Sequence, residues 1–171
     1  MSTTDSLIQL TGRVALITGA AGGQGRSHAR LLVGLGCRVV LTDVDAEALS
    51  ALTTELGEAA TAAAHDVTSA GDWARVVEHA EQHFGRLDVL INNAGYSPVA
   101  SLADSDEALI RHTVDINLIG PLLGMRAVLP LMSRTGGSII NIASTAGVGG
   151  AAKRVPYAAS KWGLRGASRS V

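Results

Sequence analysis

One cysteine, Cys37, stands among 171 residues, so no disulfide forms within the chain and a reducing compartment fits it. Cys37 opens an apolar stretch and reads as a small core residue. Basic residues are not in excess. The formal net charge is −1 and no long basic run occurs, which argues against nucleic acid as the main partner. Aromatics are scarce, and Trp73, Trp162 and Phe84 are too scattered to form a base-stacking platform. The amino terminus, Met1 to Leu10, carries Asp5 and no basic residue, so it does not read as a secretory signal. No apolar run approaches the length of a bilayer-spanning helix. His79 and His83 share a helix face with no third metal ligand in view. What remains is a cytoplasmic globular chain, 47% hydrophobic and 17% charged, long enough for one sizeable core.

Strand-like and helix-like stretches alternate throughout, the mark of βα units around a parallel sheet. Strands are predicted near 14–18, 38–42, 61–65, 87–91 and 138–142, and helices near 24–35, 46–56, 69–84, 104–132 and from Pro156 onward. Gly36, Gly57 and Gly85 stand where helix ends are expected, and Asp45 where a helix cap is. Pro121 has no N–H to give to the carbonyl of Asn117, so the long fourth helix is expected to kink there with that carbonyl freed. Ile139, Ile140 and Ile142 make the fifth strand read as an interior one, apolar on both faces. The fold class is α/β: a doubly wound parallel sheet of order 3-2-1-4-5, without repeats or a second domain.

Between the first strand and its helix lies Thr18-Gly19-Ala20-Ala21-Gly22-Gly23-Gln24-Gly25. Glycines allow a tight turn and close backbone approach, and the free N–H groups of the helix start attract phosphate. Asp43 ends the second strand at close to the offset of roughly 20 residues where an acidic side chain meets ribose hydroxyls. Read alone, it is also a good helix-capping or turn aspartate. A carboxylate there repels a 2′-phosphate, and neither Val44 nor Gly22 is basic, which favours NAD over NADP. Arg26 and Arg38, nearby in sequence, weigh the other way.

Further along stand Asp66-Val67, Asn92-Asn93-Ala94-Gly95, Asn117, Ser144 and Tyr157-Ala158-Ala159-Ser160-Lys161. Tyr157 and Lys161, four apart on a helix, share one face. A phenol with a pKa near about 10 is a poor base at neutral pH, and a neighbouring ammonium favours its charged form. The T-G-x-x-x-G-x-G loop, the N-N-A-G stretch and the order Asn117, Ser144, Tyr157, Lys161 together resemble the short-chain dehydrogenase/reductase family. Gln24 and Arg26 depart from it, since relatives often carry apolar residues there.

The resemblance implies an NAD-dependent oxidoreductase that moves a hydride between the nicotinamide cofactor and a secondary alcohol or ketone, a hydroxysteroid among the options. By it, Gly19, Gly23, Gln24, Gly25, Asp43, Asp66, Val67, Asn92, Ala94, Gly95, Tyr157 and Lys161 contact the cofactor. Asp66 would reach the adenine amino group, and Val67 a backbone contact. Tyr157 would be the general acid or base, Ser144 a donor to the reacting oxygen, and Lys161 a charge beside Tyr157 that also holds the ribose. Asn117 would hold a water linking Lys161 to solvent. The asparagines of N-N-A-G are as well explained by tying strand ends together.

Relatives continue past the Y-x-x-x-K helix with further strands, so residues 1–171 read as a single nucleotide-binding domain lacking the family's last strands. That leaves an alternative, a non-catalytic nucleotide-binding or interaction module. It also implies a fifth strand with an open edge and a self-associating chain, a homo-oligomer.

Overall fold

The computed structural model describes residues 9–134 and 136–171, so most of the amino-terminal stretch read for an export signal lies outside the described residues. Strands and helices alternate as β1 (Val14–Thr18), α1 (Gly23–Gly34), β2 (Arg38–Asp43), α2 (Ala46–Leu56), β3 (Ala60–Ala64), α3 (Ala70–Phe84) and β4 (Val89–Asn92). Then come α4 (Glu107–Val114), a π turn (Asp115–Ile119), α5 (Gly120–Met132), β5 (Ser138–Asn141), a 3₁₀ turn (Thr145–Gly147) and α6 (Val155–Ser168). The sheet runs β3-β2-β1-β4-β5, every pair parallel, as the sequence predicts.

β1 is the central strand and is buried at every position. A strand covered on both faces must be apolar throughout, and successive side chains point to opposite faces. Val14 and Leu16 therefore join Val40, Trp73 and Val128 under α3 and α5. Ala15 and Ile17 join Leu41, Leu49 and Leu52 under α1 and α2. Burial of each such Leu or Ile contributes roughly 1.5–3 kcal/mol. Local signals then place the helix starts. The carboxylates of Asp45 and Asp106 accept from Ala48 N and Leu109 N, and the Ser69 hydroxyl from Asp72 N. Cys37 is buried at 1% exposure, as its apolar setting predicts.

Three expectations change. β5 is less buried than an interior strand: Ile139 and, just past the strand, Ile142 pack against the two core clusters, but Ile140 is 44% exposed. β5 is the last strand of the described sheet and pairs with β4 alone. The expected kink near Asn117 takes the form of a widened turn. Gly120 N donates to Asp115 O, and the ladder slips to i→i+5 through Asp115–Ile119 just ahead of Pro121. Finally, Glu107–Met132 forms one 26-residue helical stretch that by length and composition is long and apolar enough to cross a membrane. Of its apolar residues, Val128, Leu131 and Met132 pack against the sheet and α3, while Ile119, Leu122 and Leu129 are exposed.

At the amino ends of β1 and β4, one buried carboxylate holds the strands together. Asp88, 3% exposed, accepts from Val14 N at 3.0 Å, Arg13 Nη1 at 2.7 Å and both arms of Arg86 at 2.6 and 2.8 Å. Burial alone would raise its pKa, but the two guanidiniums and the Val14 amide outweigh it and hold the carboxyl below its usual range. Asp88→Asn should therefore cost about 1–3 kcal/mol at neutral pH, read from the urea midpoint. A lowered carboxyl pKa stabilises only above its range. The difference from the native chain should thus shrink as the pH falls below about 3.9 and through the lower folded value.

Candidate active site

The β1–α1 loop passes so close to the end of β4 that it tolerates no side chain at Gly19. That residue has φ +64°, and a Cβ on it would lie 2.8 Å from Ala94 Cα. A Cβ at Gly25 would collide with Gly19 O. Gly23 differs, for among the described residues nothing beyond its chain neighbours and its own helix backbone lies within 4 Å of the Cβ position there. Packing accounts for two glycines of the motif, and open cleft accounts for the third. α1 starts at Gly23 with no side-chain cap on its N–H groups, which leaves them for an anion.

Asn93 locks the loop to β4. Its Nδ2 donates to Thr18 O and Gly19 O at 2.9 and 3.1 Å, while Thr18 Oγ1 accepts from Asn93 N and Ala94 N, both at 3.0 Å. Asn93 Oδ1 is buried without a partner. Beneath lies a cleft of about 480 Å³, lined by the glycine loop, Asp43 and Val44, residues 65–67, residues 93–95 and Ile116. Asp43 is fixed by Ala21 N and Asp45 N at 3.0 and 3.2 Å. Asp66 Oδ1 closes a turn onto Thr68 N at 2.9 Å, so the turn reading of this residue holds for one of its oxygens. No Lys or Arg lines the cleft. Arg26 Nε is drawn to Ala21 O at 2.7 Å, and Arg38 stacks on Phe84 at the amino end of β2.

Of the residues expected at a cofactor, Gly19, Gly23, Gln24, Gly25, Asp43, Asp66, Val67, Ala94 and Gly95 line this cleft. Asn92 does not. It is 3% exposed, and its Nδ2 donates to Asn141 Oδ1 at 2.8 Å, so it ties β4 to β5. Strand alternation sends its side chain away from the loop that Asn93 meets. Asn93, Gly22, Val44, His65 and Ile116 also line the cleft, though the sequence reading assigned none of them a cofactor contact. Their signal was adjacency: each neighbours a residue that was given a role.

A second cluster begins where the cleft ends. A Cβ at Gly95 would lie 3.2 Å from Asn117 Oδ1 and 3.9 Å from Lys161 Nζ, so both side chains converge beside this residue. Asn117 is fully buried, and its amide clamps the Tyr96 backbone, accepting from N at 3.0 Å and donating to O at 2.7 Å. Lys161 is 5% exposed; its Nζ donates to Ile142 O at 2.8 Å and lies 5.8 Å from the Tyr157 ring centroid. Burial holds the Lys161 pKa below its usual value. Ser144 Oγ accepts from Ala146 N at 3.1 Å, which leaves its O–H to donate elsewhere. The turn it caps rests on α6, for a Cβ at Gly147 would lie 2.9 Å from Lys161 O.

His65 sits under the cleft with Nδ1 3.0 Å from Thr42 Oγ1 and its ring edge-on to Trp73 at 4.4 Å. Burial pushes its pKa down to about 4, against a smaller opposing pull from Asp72 and Asp66. The unfolded imidazole titrates near about 6.5. Between these values the unfolded chain binds more protons, so stability is lost as the pH falls from 6.5 towards 4, by about 3 kcal/mol in all. His65→Gln should flatten the melting temperature across that window, measured from pH 7.5 down to 4.5.

The comparisons agree with this geometry. The family profile described as short chain dehydrogenase matches residues 13–171. Trans-4-hydroxycyclohexanecarboxylate dehydrogenase of Sinomonas cyclohexanicum is 43% identical over 167 residues, covering 92% of this chain and 64% of that protein. A 3-alpha-(or 20-beta)-hydroxysteroid dehydrogenase of Mycobacterium bovis is 40% identical over 164 residues, covering 95% of this chain and 63% of that protein. The crystal structure of a short-chain dehydrogenase/reductase from Brucella melitensis, described as a glucose/ribitol dehydrogenase, superposes with a TM-score of 0.92 at 33% identity. It covers 95% of this chain and 69% of its own. The chain thus spans less than two thirds of the length of these two curated relatives, and it belongs to the short-chain dehydrogenase/reductase family.

Proposed function

We propose that residues 1–171 form one nucleotide-binding domain of an NAD-dependent oxidoreductase that interconverts a secondary alcohol and its ketone. The observation that carries this is Lys161. A buried ammonium is costly, and this one has a single carbonyl for company, on the helix face it shares with Tyr157. Packing alone gives no reason to keep a charge there. A phenol that must give up and regain a proton does.

In the reducing direction, Tyr157 gives its hydroxyl proton to the carbonyl oxygen, and Lys161 supplies positive charge beside the ring. The free O–H of Ser144 donates to the same oxygen and stabilises the charge that develops on it. Asn117 keeps the Gly95–Tyr96 segment in place next to Lys161. When bound, the nicotinamide cofactor supplies or accepts the hydride. Its phosphates suit the open N–H groups at Gly23, and its adenosine ribose suits Asp43. Two carboxylates and no cation line the cleft, which supports NAD over NADP. Relatives named for a hydroxycyclohexanecarboxylate and for hydroxysteroids support a cyclic secondary alcohol as the substrate.

Tyr157→Phe should lower turnover by about 10²–10⁴-fold while leaving NADH affinity within a few-fold. Lys161→Ala should impair both. Absorbance of the reduced nicotinamide and fluorescence titration measure the two; Tyr157→Phe at native turnover would sink the assignment.

NADH should bind at least about tenfold more tightly than NADPH, and Asp43→Ala combined with Val44→Arg should narrow or reverse that preference. Tighter NADPH binding by the native chain would refute it.

A further inference from the structure

Arg154 caps the amino end of α6, three positions before Tyr157. Its guanidinium takes part in none of the ion pairs among the described residues. Nη1 instead donates to the hydroxyl of Ser97, a neutral acceptor that orients the fork and leaves its charge uncompensated. Ser97 lies two residues beyond Gly95, beside which Lys161 and Asn117 converge. The bridge therefore joins the two loops that leave β4 and β5 next to Tyr157.

The backbone is arranged to hold this arginine. Lys153, directly before it, has φ +57°, the one positive φ outside glycine among the described residues. Such a conformation is uncommon for a residue with a side chain and is characteristic of functional sites. Its carbonyl accepts from Ala100 N at 2.9 Å, which stitches the same two loops together. On the other side, Tyr96 is clamped by the Asn117 amide. The carboxylates of the loop after Ser97 are already engaged, Asp104 by the Ser101 hydroxyl and Asp106 by Leu109 N. On the loops that the bridge joins and at the start of α6, Val99, Val148 and Val155 are 63%, 58% and 47% exposed.

We propose that Arg154, oriented by Ser97, is a specificity-determining residue that binds a carboxylate of the substrate. The preferred substrates are then hydroxy acids and their keto acids, with the anionic group a short hydrocarbon span from the reacting carbon. A guanidinium fork matches a carboxylate with two parallel N–H···O bonds. Arg154 stands at the N-cap of α6 and Tyr157 three positions on, so an anion on the guanidinium would lie at the start of the helix that carries Tyr157. The inference rests on the reaction proposed above and adds the charge of its substrate.

Isothermal titration of the 171-residue chain, with and without saturating NADH, tests it using cyclohexanecarboxylate and the neutral cyclohexanecarboxamide. The native chain should bind the carboxylate at least about tenfold more tightly than the amide, as a charged hydrogen-bonded pair allows. Arg154→Gln should remove that preference and leave amide affinity within about twofold. Arg154→Lys should restore part of it, and Ser97→Ala should reduce it by a smaller factor. Equal affinities in the native chain, no binding of the carboxylate, or equal losses for both ligands in Arg154→Gln would overturn the proposal. If Arg154→Gln does not fold, the native ratio and Arg154→Lys decide. No step requires turnover, so a chain that keeps the carboxylate preference but transfers no hydride would strike the reaction and leave this subsite standing.

Discussion

The carboxyl edge of the sheet depends on how closely the backbone leaving β1 can approach the backbone leaving β4. At Gly19 that approach leaves no room for a Cβ. The Asn93 amide donates to the carbonyls of both Thr18 and Gly19, adding to the bond that Gly19 O accepts from Gly22 N within the loop. Thr18 returns the bond by accepting from two successive amides of the β4 end. The cleft is the space left over once this contact is made. Its floor is consequently backbone and amide rather than long side chains.

The same two strands are latched at their other end by Asp88 and two arginines, and the contrast is informative. At the amino edge a carboxylate can be buried because Arg13 and Arg86 reach it from solvent, with side chains 50% and 35% exposed. Fixed cations of that kind at the carboxyl edge would compete with the uncapped N–H groups of α1 for any anion in the cleft. A neutral latch of Thr18 and Asn93 avoids the conflict. Arg26, one residue past the glycine loop, is held by a carbonyl of that loop and does not line the cleft. Guanidiniums are kept where the fold needs rigidity and withheld from the lining of the cleft, where a ligand is to be read by backbone dipoles.

Much of this was legible in the sequence because it follows from short-range rules. The continuous apolar run of β1, the glycine loop after it and the cap at Asp45 are local signals, and they lead directly to strand order and to most of the cleft. What was not legible depended on neighbours far away in the chain. Ile140 reads as core by composition, yet its exposure is decided by whether a further strand lies beside β5. Asn92 and Asn93 are the same residue type one position apart, and only the pleat of β4 separates strand tie from cleft wall. Pro121 forecast a disturbed helix correctly, but whether the ladder breaks or slips to a π turn is settled by packing. Close contact of Gly120 with Val67 and of Gly163 with Leu118 crowds the helix there.

Asn92 shows how a residue outside the cleft still bears on the chemistry. Ile142 N donates to Asn92 O at 3.0 Å, which extends the β4–β5 register to the residue whose own carbonyl receives the Lys161 ammonium. The side chain of Asn92 meanwhile reaches Asn141, and Asn141 Nδ2 reaches Ser168 Oγ at 2.9 Å near the carboxyl end of α6. α6 is thus pinned to the end of β5 at two points along its length, through Lys161 and through Ser168. A single tether would let the helix pivot about its axis and carry Tyr157 with it; two tethers fix both the height and the rotation of the face that carries Tyr157 and Lys161. The buried ammonium is held by geometry rather than by a counter-charge, so its charge stays uncompensated for whatever anion forms beside it.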